Sequence, residues 1–189
     1  NDRTWYKVDD TTDRYTSAWS LKEKFALVLW RSTYWIFYRF SPKKTGRFWR
    51  VLLLRLFGAD VHWSSFLHPS SRIYAPWLLK LGKRACLGPR CEIYNLGLVI
   101  IGDFTTLSQN VYVCNGSHDL SKESLPLIIS KISIGSNVFI GANAFILLGV
   151  AIRDSAVVGA ASVVTKDVDE NMIVGGNPAK FLKWREIDD

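Results

Sequence analysis

Aliphatic residues recur at every sixth position between Ile134 and Asp169, a period that neither an α-helix nor a single β-strand produces. The stretch divides into IGSNVF, IGANAF, ILLGVA, IRDSAV, VGAASV and VTKDVD. The first position of each hexad is always aliphatic, at Ile134, Ile140, Ile146, Ile152, Val158 and Val164. The fifth position is always small or β-branched, at Val138, Ala144, Val150, Ala156, Ser162 and Val168. This pattern predicts an all-β solenoid, a parallel β-helix in which the aliphatic residue of each short face fills the interior.

Less regular hexads extend the same pattern towards the N-terminus. They begin at Val61, Leu67, Ile73, Leu81, Leu87, Ile93, Ile101, Leu107 and Val113. The period stops over residues 119–133, which we predict to be an excursion, and it resumes at Ile134. With three hexads to a coil, residues 59–176 make about five coils.

The segments on either side of the hexads predict helices that cover the ends of the solenoid. Ser20 and Glu23 have capping-box spacing, so a helix is expected over 21–38 and a second over 47–57, ending at Gly58. We therefore expect residues 1–58 to form an arm and two capping helices. Residues 177–189 are expected to be a C-terminal tail, folded back as a short helix.

The positive charge is concentrated in the predicted helices. The chain carries a net charge of +7, and residues 22–55 alone contain nine Lys/Arg against one Glu. Such basic, aromatic helices favour either peripheral contact with an anionic membrane or simple packing on the first coil with the cations facing water. The cations argue against a membrane span, and no recognition motif accompanies them to suggest nucleic acid.

One of the three histidines is placed for chemistry. His62 and His68 are one hexad apart on neighbouring faces, where they cannot easily converge, and they are read as structural. His118 is the last residue before the excursion, which predicts an imidazole at a coil corner beside a projecting loop. The three cysteines have no CxxC spacing and are read as reduced thiols, typical of a cytoplasmic protein.

These motifs together resemble those of the hexapeptide-repeat acyltransferases. The resemblance covers about residues 45–185 and includes the hexads, the Ser-His-Asp before the excursion and the ending VVGAASVVTKDVDENMIVGGNPAKFLK. It is to the branch of galactoside, maltose and nodulation-factor acetyltransferases. RLFGADV and HPSSRIYAPWLLKLG are more similar still to the colanic acid and exopolysaccharide biosynthesis acetyltransferases.

The resemblance implies a left-handed β-helix that assembles as a homotrimer, with acetyl-CoA as donor and a sugar hydroxyl as acceptor. It implies that His118 is the general base. The adjacent Asp119 could orient or tune the imidazole, although an adjacent residue usually points elsewhere. The backbone N–H of Ala142 would stabilise the oxyanion; the family often has Ser there. Asn95 would face the acceptor sugar, and the alternative is that it forms an Asn ladder or a turn cap.

The resemblance also implies a set of coenzyme-binding residues near the C-terminus. Ala160 would contact pantetheine through its backbone, and Thr165 and Lys166 would follow towards the nucleotide. Lys180 and Lys183 would meet the phosphates as point charges.

Two other functions fit a solenoid, and other acceptors fit the enzyme. A carbonic anhydrase would need three histidines converging on zinc, which this chain does not supply, so no metal is expected. A non-catalytic trimeric scaffold would leave His118 and the VTKD ending without a purpose. Among enzymes, a small non-sugar acceptor stays open, but the aromatic N-terminal segment favours a saccharide. The expected location is the cytoplasm, with peripheral contact at the inner face of the membrane left open.

Overall fold

The structure is a computed structural model that describes residues 5–6 and 19–186. Most of the chain coils around a three-sided prism whose faces are parallel β-sheets. The strands, in chain order, are Trp5–Tyr6 (β1), Asp60–Val61 (β2), Phe66–Leu67 (β3), Arg72–Ile73 (β4), Leu79–Leu81 (β5), Cys86–Leu87 (β6), Glu92–Tyr94 (β7), Val99–Ile101 (β8), Thr106–Leu107 (β9), Tyr112–Cys114 (β10), Gly116–His118 (β11), Leu127–Ile129 (β12), Ile132–Ile134 (β13), Phe139–Ile140 (β14), Phe145–Ile146 (β15), Ala151–Ile152 (β16), Val157–Val158 (β17), Val163–Val164 (β18), Met172–Gly175 (β19) and Lys180–Trp184 (β20).

Each face contains one strand from each coil. The first face contains β2, β5, β8, β13 and β16, the second β3, β6, β9, β14, β17 and β19, and the third β4, β7, β10, β15 and β18. A bridge from Ile152 to Val168 and strand β19 begin a further coil, so the solenoid has about six coils. The sequence predicted about five, because the hexad pattern fades before the last one.

The interior of the prism is the column of aliphatic residues that the hexads predicted. The first residues of the hexads are at most 4% exposed, and this confirms the predicted register at Val61, Leu67, Ile73, Leu81, Leu87, Ile93, Ile101, Leu107, Val113, Ile134, Ile140, Ile146, Ile152, Val158 and Val164. Burial of each such side chain stabilises the fold by about 1.5–3 kcal/mol relative to exposure. Where the chain turns between faces, the fourth residue of most hexads has φ between 54° and 59°, and Asn fills several of these left-handed positions at low cost, as at Asn110, Asn137 and Asn143.

Two helices cover the N-terminal end of the prism. Helix α1 (Leu21–Thr33) continues into a π-helical turn (Tyr34–Tyr38), and helix α2 (Arg47–Leu56) follows. The predicted capping box is present at Ser20, and Gly58, just beyond α2, has φ +85°. Both helices pack their buried residues on the first coil, where they join the core of the solenoid.

The helices also satisfy the open hydrogen bonds of the first coil, one on each face. Between coils, the carbonyl of each interior residue accepts an N–H from the preceding coil, and the first coil has no preceding coil. Three side chains supply the missing donors. Arg55 donates to Val61 O at 2.7 Å, Arg50 to Leu67 O at 2.7 Å and the Trp30 indole to Ile73 O at 2.7 Å. The exposed sheet edges are therefore closed by specific donors.

The C-terminal tail is a strand, so the predicted short helix is wrong. Strand β20 pairs antiparallel with β19, with Met172 opposite Trp184 and Gly175 opposite Lys180. The physical reason is the open edge of the second face, whose backbone groups a strand can pair and a helix cannot. Between the two strands, Ala179 N donates to Val163 O at 2.8 Å, which ties the tail to the third face.

Candidate active site

His118 lies on a β-hairpin that leaves the coil at the end of the third face. Strands β11 and β12 pair antiparallel, with His118 opposite Leu127, and β1 adds a third strand with Trp5 opposite Ile129. The sequence analysis placed His118 at a coil corner. The chain in fact leaves the coil about three residues earlier, after strand β10 and Asn115, so the imidazole is carried on an arm outside the prism.

The imidazole of His118 is held by the main chain of its own hairpin loop. Its Nδ1 lies 2.7 Å from the carbonyl oxygen of Leu125, and the side chain is exposed. A carbonyl oxygen can only accept, so Nδ1 carries the proton and Nε2 keeps a lone pair when the ring is neutral. Nε2 is therefore ready to accept a proton from a bound hydroxyl.

Asp119 does not hold the histidine. Its carboxylate accepts from the Ser121 hydroxyl at 2.6 Å and from Ser121 N at 3.1 Å. The bond from the Ser121 hydroxyl, followed by the bond from the Ser121 backbone N–H, holds the pKa of the Asp119 carboxyl below its ordinary value. In this structure the Leu125 carbonyl, and not the Asp119 carboxylate, contacts the imidazole, because Asp119 is engaged in closing the loop.

We expect Asp119→Asn to change kcat by less than about threefold, since Asn preserves this type of turn. Loss of a carboxylate that directly orients a catalytic histidine costs on the order of 10⁴ in kcat. Steady-state kinetics across pH distinguish the two, with Ser121→Ala as a control that loosens the same turn. A fall of 10² or more in Asp119→Asn with an intact pH profile in Ser121→Ala would restore the carboxylate as the orienting group.

Asn95 is inside the prism and bonded to backbone. It is 0% exposed, its Oδ1 accepts from Ala75 N at 3.0 Å, and its Nδ2 donates to Ala75 O at 2.7 Å. One coil later, Asn115 is equally buried and accepts from Leu96 N at 2.9 Å and Gly97 N at 3.1 Å. The structure thus favours the ladder interpretation of Asn95 over contact with a sugar, because its amide has no free surface in this chain.

Ala142 and Ala160 occupy the same corner in successive coils, between the second and third faces. The coils approach closely there: Ala161 N donates to Ala142 O at 2.8 Å, and a Cβ added to Gly141 would lie 2.5 Å from Ala160 N. Within the described residues, neither the Ala142 nor the Ala160 N–H is bonded to an acceptor. Either N–H could therefore donate to a ligand that reaches this corner.

Thr165 and Lys166 lie near the point where the hairpin that carries His118 rejoins the coil. Together with Ser130 and Gly149 they line a cavity of about 550 Å³. Ser130 is where the hairpin rejoins the coil, and its N–H donates to Asn115 O at 3.0 Å. The structure therefore joins one pair of predicted coenzyme residues to the arm that bears the predicted base.

The remaining predicted coenzyme residues are on the last strand. Lys180 and Lys183 project from β20, and both are exposed. The structure does not bring them into the cavity of Thr165 and Lys166.

The other histidines bond within their own turns. His62 Nδ1 lies 2.8 Å from Ser64 Oγ, and His68 Nδ1 lies 2.7 Å from Ser70 Oγ. Across the part of the chain that the structure describes, no group of three His, Cys, Asp or Glu side chains is placed to hold a metal ion. Cys86, Cys91 and Cys114 are free thiols.

An aromatic column on the third face was not predicted from the sequence, and it is formed by Tyr74, Tyr94, Tyr112 and Phe145. Successive ring centroids lie 4.9, 6.4 and 4.8 Å apart, and the last three rings are stacked. Burial raises the pKa of Tyr112 to about 12, so its phenol stays protonated and able to donate. The available signal was an aromatic residue flanking the interior aliphatic residue in each of four coils.

The column is continuous with a cavity under helix α1, which we call the α1 cavity. It has a volume of about 320 Å³, within the range of small-molecule sites. Its polar lining includes Arg31, Arg72 and Glu92, and its aromatic lining includes Trp35 and Tyr94. Guanidinium, carboxylate and aromatic groups in one concave site can bind a polar ligand that also has an apolar face.

A parallel β-solenoid built from hexads, with a hairpin that projects from one corner, is the architecture of the hexapeptide-repeat transferases. Residues 131–166 match the family model described as the hexapeptide repeat of succinyl-transferase. The chain is 37% identical to the putative colanic acid biosynthesis acetyltransferase of Escherichia coli, over 83% of this chain and 86% of that protein. The chain belongs to the hexapeptide-repeat acetyltransferase family.

One further relative and one solved structure are also similar to this chain. The galactoside O-acetyltransferase of Escherichia coli is 36% identical over 50% of this chain and 51% of its own length. The crystal structure of a hexapeptide-repeat-containing acetyltransferase from Vibrio cholerae, complexed with acetyl coenzyme A, superposes with a TM-score of 0.78. That match has 24% identity and covers 92% of this chain and 94% of the other. The shared fold is the left-handed parallel β-helix.

Proposed function

We propose that this protein transfers an acetyl group from acetyl-CoA to a hydroxyl of a sugar, in a polysaccharide or its lipid-linked precursor. The observation that carries the proposal is the bond between His118 Nδ1 and Leu125 O, which leaves Nε2 as a base on an exposed arm. Family membership and the relatives named above support the donor and the acceptor class.

In this mechanism, His118 Nε2 accepts the proton of the sugar hydroxyl as its oxygen attacks the thioester carbonyl carbon. The Ala142 N–H donates to the oxygen that becomes negative in the tetrahedral intermediate. When the carbon–sulfur bond breaks, the imidazolium returns the proton to the departing thiolate. No covalent enzyme intermediate is required, because a thioester is already an activated acyl donor.

The coenzyme would lie along the corner that carries Ala142 and Ala160. The free N–H of Ala160 would bond a carbonyl of the pantetheine arm, and Thr165 and Lys166 would contact the chain further along. Lys180 and Lys183 would pair with the phosphates, for which exposed ammonium groups on a strand are suited. Acetyl-CoA as donor places the reaction in the cytoplasm.

We infer that the active protein is a homotrimer with its sites between subunits. The arm that carries His118 projects from the prism, so its Nε2 is free to face a coenzyme bound on a neighbouring solenoid. Both partners of the reaction would then be enclosed by two chains.

For the acceptor, we propose the third face and the α1 cavity. A sugar ring has apolar C–H faces that stack on aromatic rings, and its hydroxyls both donate and accept. The rings of Tyr94 and Tyr112 provide the stacking surface, while Glu92 and Arg72 provide an acceptor and a donor.

We expect Tyr94→Ala to raise KM for the saccharide roughly three- to tenfold, because one lost aromatic contact costs about 0.5–1.5 kcal/mol. KM for acetyl-CoA should be unchanged. The matched control is Phe66→Ala, which removes an outward ring from the second face. If both variants raise the saccharide KM equally, the third face has no special role in acceptor binding.

The proposal as a whole is tested by acetyl-CoA turnover, read as free thiol with a thiol-reactive chromophore. Release of thiol that depends on an added glycoside supports it. A trimeric scaffold would release none with any acceptor, and an enzyme for small non-sugar acceptors would respond to an amino alcohol or an amino acid but not to a glycoside.

A further inference from the structure

The two N-terminal helices present many large apolar side chains to solvent. They are 37–83% exposed, and they are Leu21, Phe25, Val28, Leu29, Trp35, Ile36, Phe37, Phe40, Phe48, Trp49, Leu52 and Leu56. Along α2, Phe48, Leu52 and Leu56 follow each other at four-residue spacing and form one stripe. The Trp49 indole donates to Phe37 O at 3.0 Å, which joins the stripe to the end of the π-helical turn. We call these exposed residues the helical apolar surface.

This surface is separate from the one that covers the solenoid. Packing on the first coil uses other side chains of the same helices, such as Trp30, Tyr38, Val51 and Leu54, each at most 1% exposed. The sequence left open whether the aromatic residues pack on the coil or meet a membrane. The structure divides them into two sets, and the outer set makes no contribution to the core. Contiguous exposed apolar surface of this extent marks an interaction site.

Cations surround the helical apolar surface. Lys22, Lys24 and Arg31 on α1, and Lys43 and Lys44 between the helices, are all exposed. Residues 22–55 contain a single acidic residue, Glu23. A second copy of this surface would bring like charges together, whereas the phosphates of anionic lipids complement them.

We propose that the helical apolar surface docks on an anionic lipid bilayer. Its apolar side chains enter the boundary between headgroups and acyl chains, and the surrounding ammonium and guanidinium groups pair with lipid phosphates. The contact is peripheral: none of the helices in residues 19–186 combines the length and the apolarity that a transmembrane span needs.

Docking in this way would place the acceptor at the membrane. Arg31 and Trp35 of the helical segment line the α1 cavity, so the cavity opens beside the docking surface. This inference rests on the proposed function. Because the cavity lies beside the docking surface, it favours a saccharide attached to a membrane lipid over a free sugar as the acceptor.

Flotation with vesicles tests the docking without any substrate. The protein should float with vesicles of phosphatidylcholine and phosphatidylglycerol, and at least about tenfold less with phosphatidylcholine alone. Lys43→Glu/Lys44→Glu should lose at least about tenfold in binding to the anionic vesicles, since each cation near the surface contributes to it. The matched control is Lys83→Glu/Arg84→Glu, an equal charge change at an exposed pair on the solenoid, which should bind like the parent protein.

The apolar part of the contact is tested by Phe25→Ser/Phe40→Ser, which alters the two phenylalanines that are 72% and 76% exposed. It should float at least about fivefold less, while Phe104→Ser, at a half-exposed ring on the solenoid, should not. Failure of the parent protein to float, or equal losses in the control variants, overturns the proposal. So does a changed oligomer in sedimentation of Phe25→Ser/Phe40→Ser, because the surface would then be a subunit interface. Turnover of a water-soluble glycoside, measured in parallel, reports the proposed function independently.

Discussion

We expect His118→Ala to lower kcat by about 10²–10⁴, the usual contribution of a positioned general base. KM for acetyl-CoA should stay within about twofold, because the residues proposed to bind the coenzyme lie in the later coils and on the last strand. The fold should be unaffected, since the His118 side chain is exposed and, within the described residues, bonds only the Leu125 carbonyl. Stopped-flow or steady-state release of free thiol with a saturating glycoside measures the effect.

The control for this variant is His62→Ala. His62 is also exposed and also makes one short bond through Nδ1, to Ser64 in its own turn. It lies on the first coil, away from the arm, so its removal should leave kcat unchanged. Turnover of His118→Ala close to that of the parent, with an intact oligomer, would remove the base from the mechanism.

The largest effect on stability should come from Arg50→Ala. Arg50 is 0% exposed and bonds four groups: Leu67 O at 2.7 Å, Pro42 O at 2.8 Å, Lys43 O at 2.7 Å and the Ser41 hydroxyl at 2.8 Å. Its removal leaves a buried carbonyl of the first coil without a donor. We expect a loss of about 3 kcal/mol or more, since a single bond to a charged group contributes about 1.5–3 kcal/mol.

Thermal and urea unfolding, followed by circular dichroism, measure this loss. A change of this size lowers Tm by about 6–12 °C in a chain of this length. Arg47→Ala is the control, because Arg47 lies one turn earlier on α2, is only partly buried and contacts the ring of Phe48 at 4.7 Å. It should cost at most about 0.5 kcal/mol. Equal losses in the two variants would mean that the helix, and not the carbonyl cap, is what the first coil needs.

The solenoid was predictable because its period is a property of single residues. A coil needs an aliphatic residue wherever the chain faces the axis. The place of Ile140 or Leu87 in the fold therefore follows from the period alone, without knowledge of which residues it contacts. The excursion was predictable as a failure of that period. Its form as a hairpin was not, because β11 pairs with β12, and β12 also pairs with β1, more than a hundred residues earlier in the chain.

The candidate site could be predicted only at residues that a sequence pattern marks. His118 stands out at the break in the period, and Thr165 and Lys166 belong to a recognisable ending. Asn95 was ambiguous from the sequence, because the same amide can face a sugar or bond the preceding coil, and the burial of the side chain favours the second. The aromatic column was missed because its rings are about 20 residues or more apart in sequence and become neighbours only when the coils stack.

The His118 ring is held by a main-chain oxygen, that of Leu125, so its position depends on the path of the loop more than on the side chain at that residue. Replacement of Leu125 by another residue removes no oxygen, so point substitutions there should leave the ring in place as long as the loop keeps its path. Deletions and insertions between residues 119 and 126 act differently, because they move the oxygen itself. Engineering of this loop should therefore keep its length and the Asp119–Ser121 bonds that close its turn.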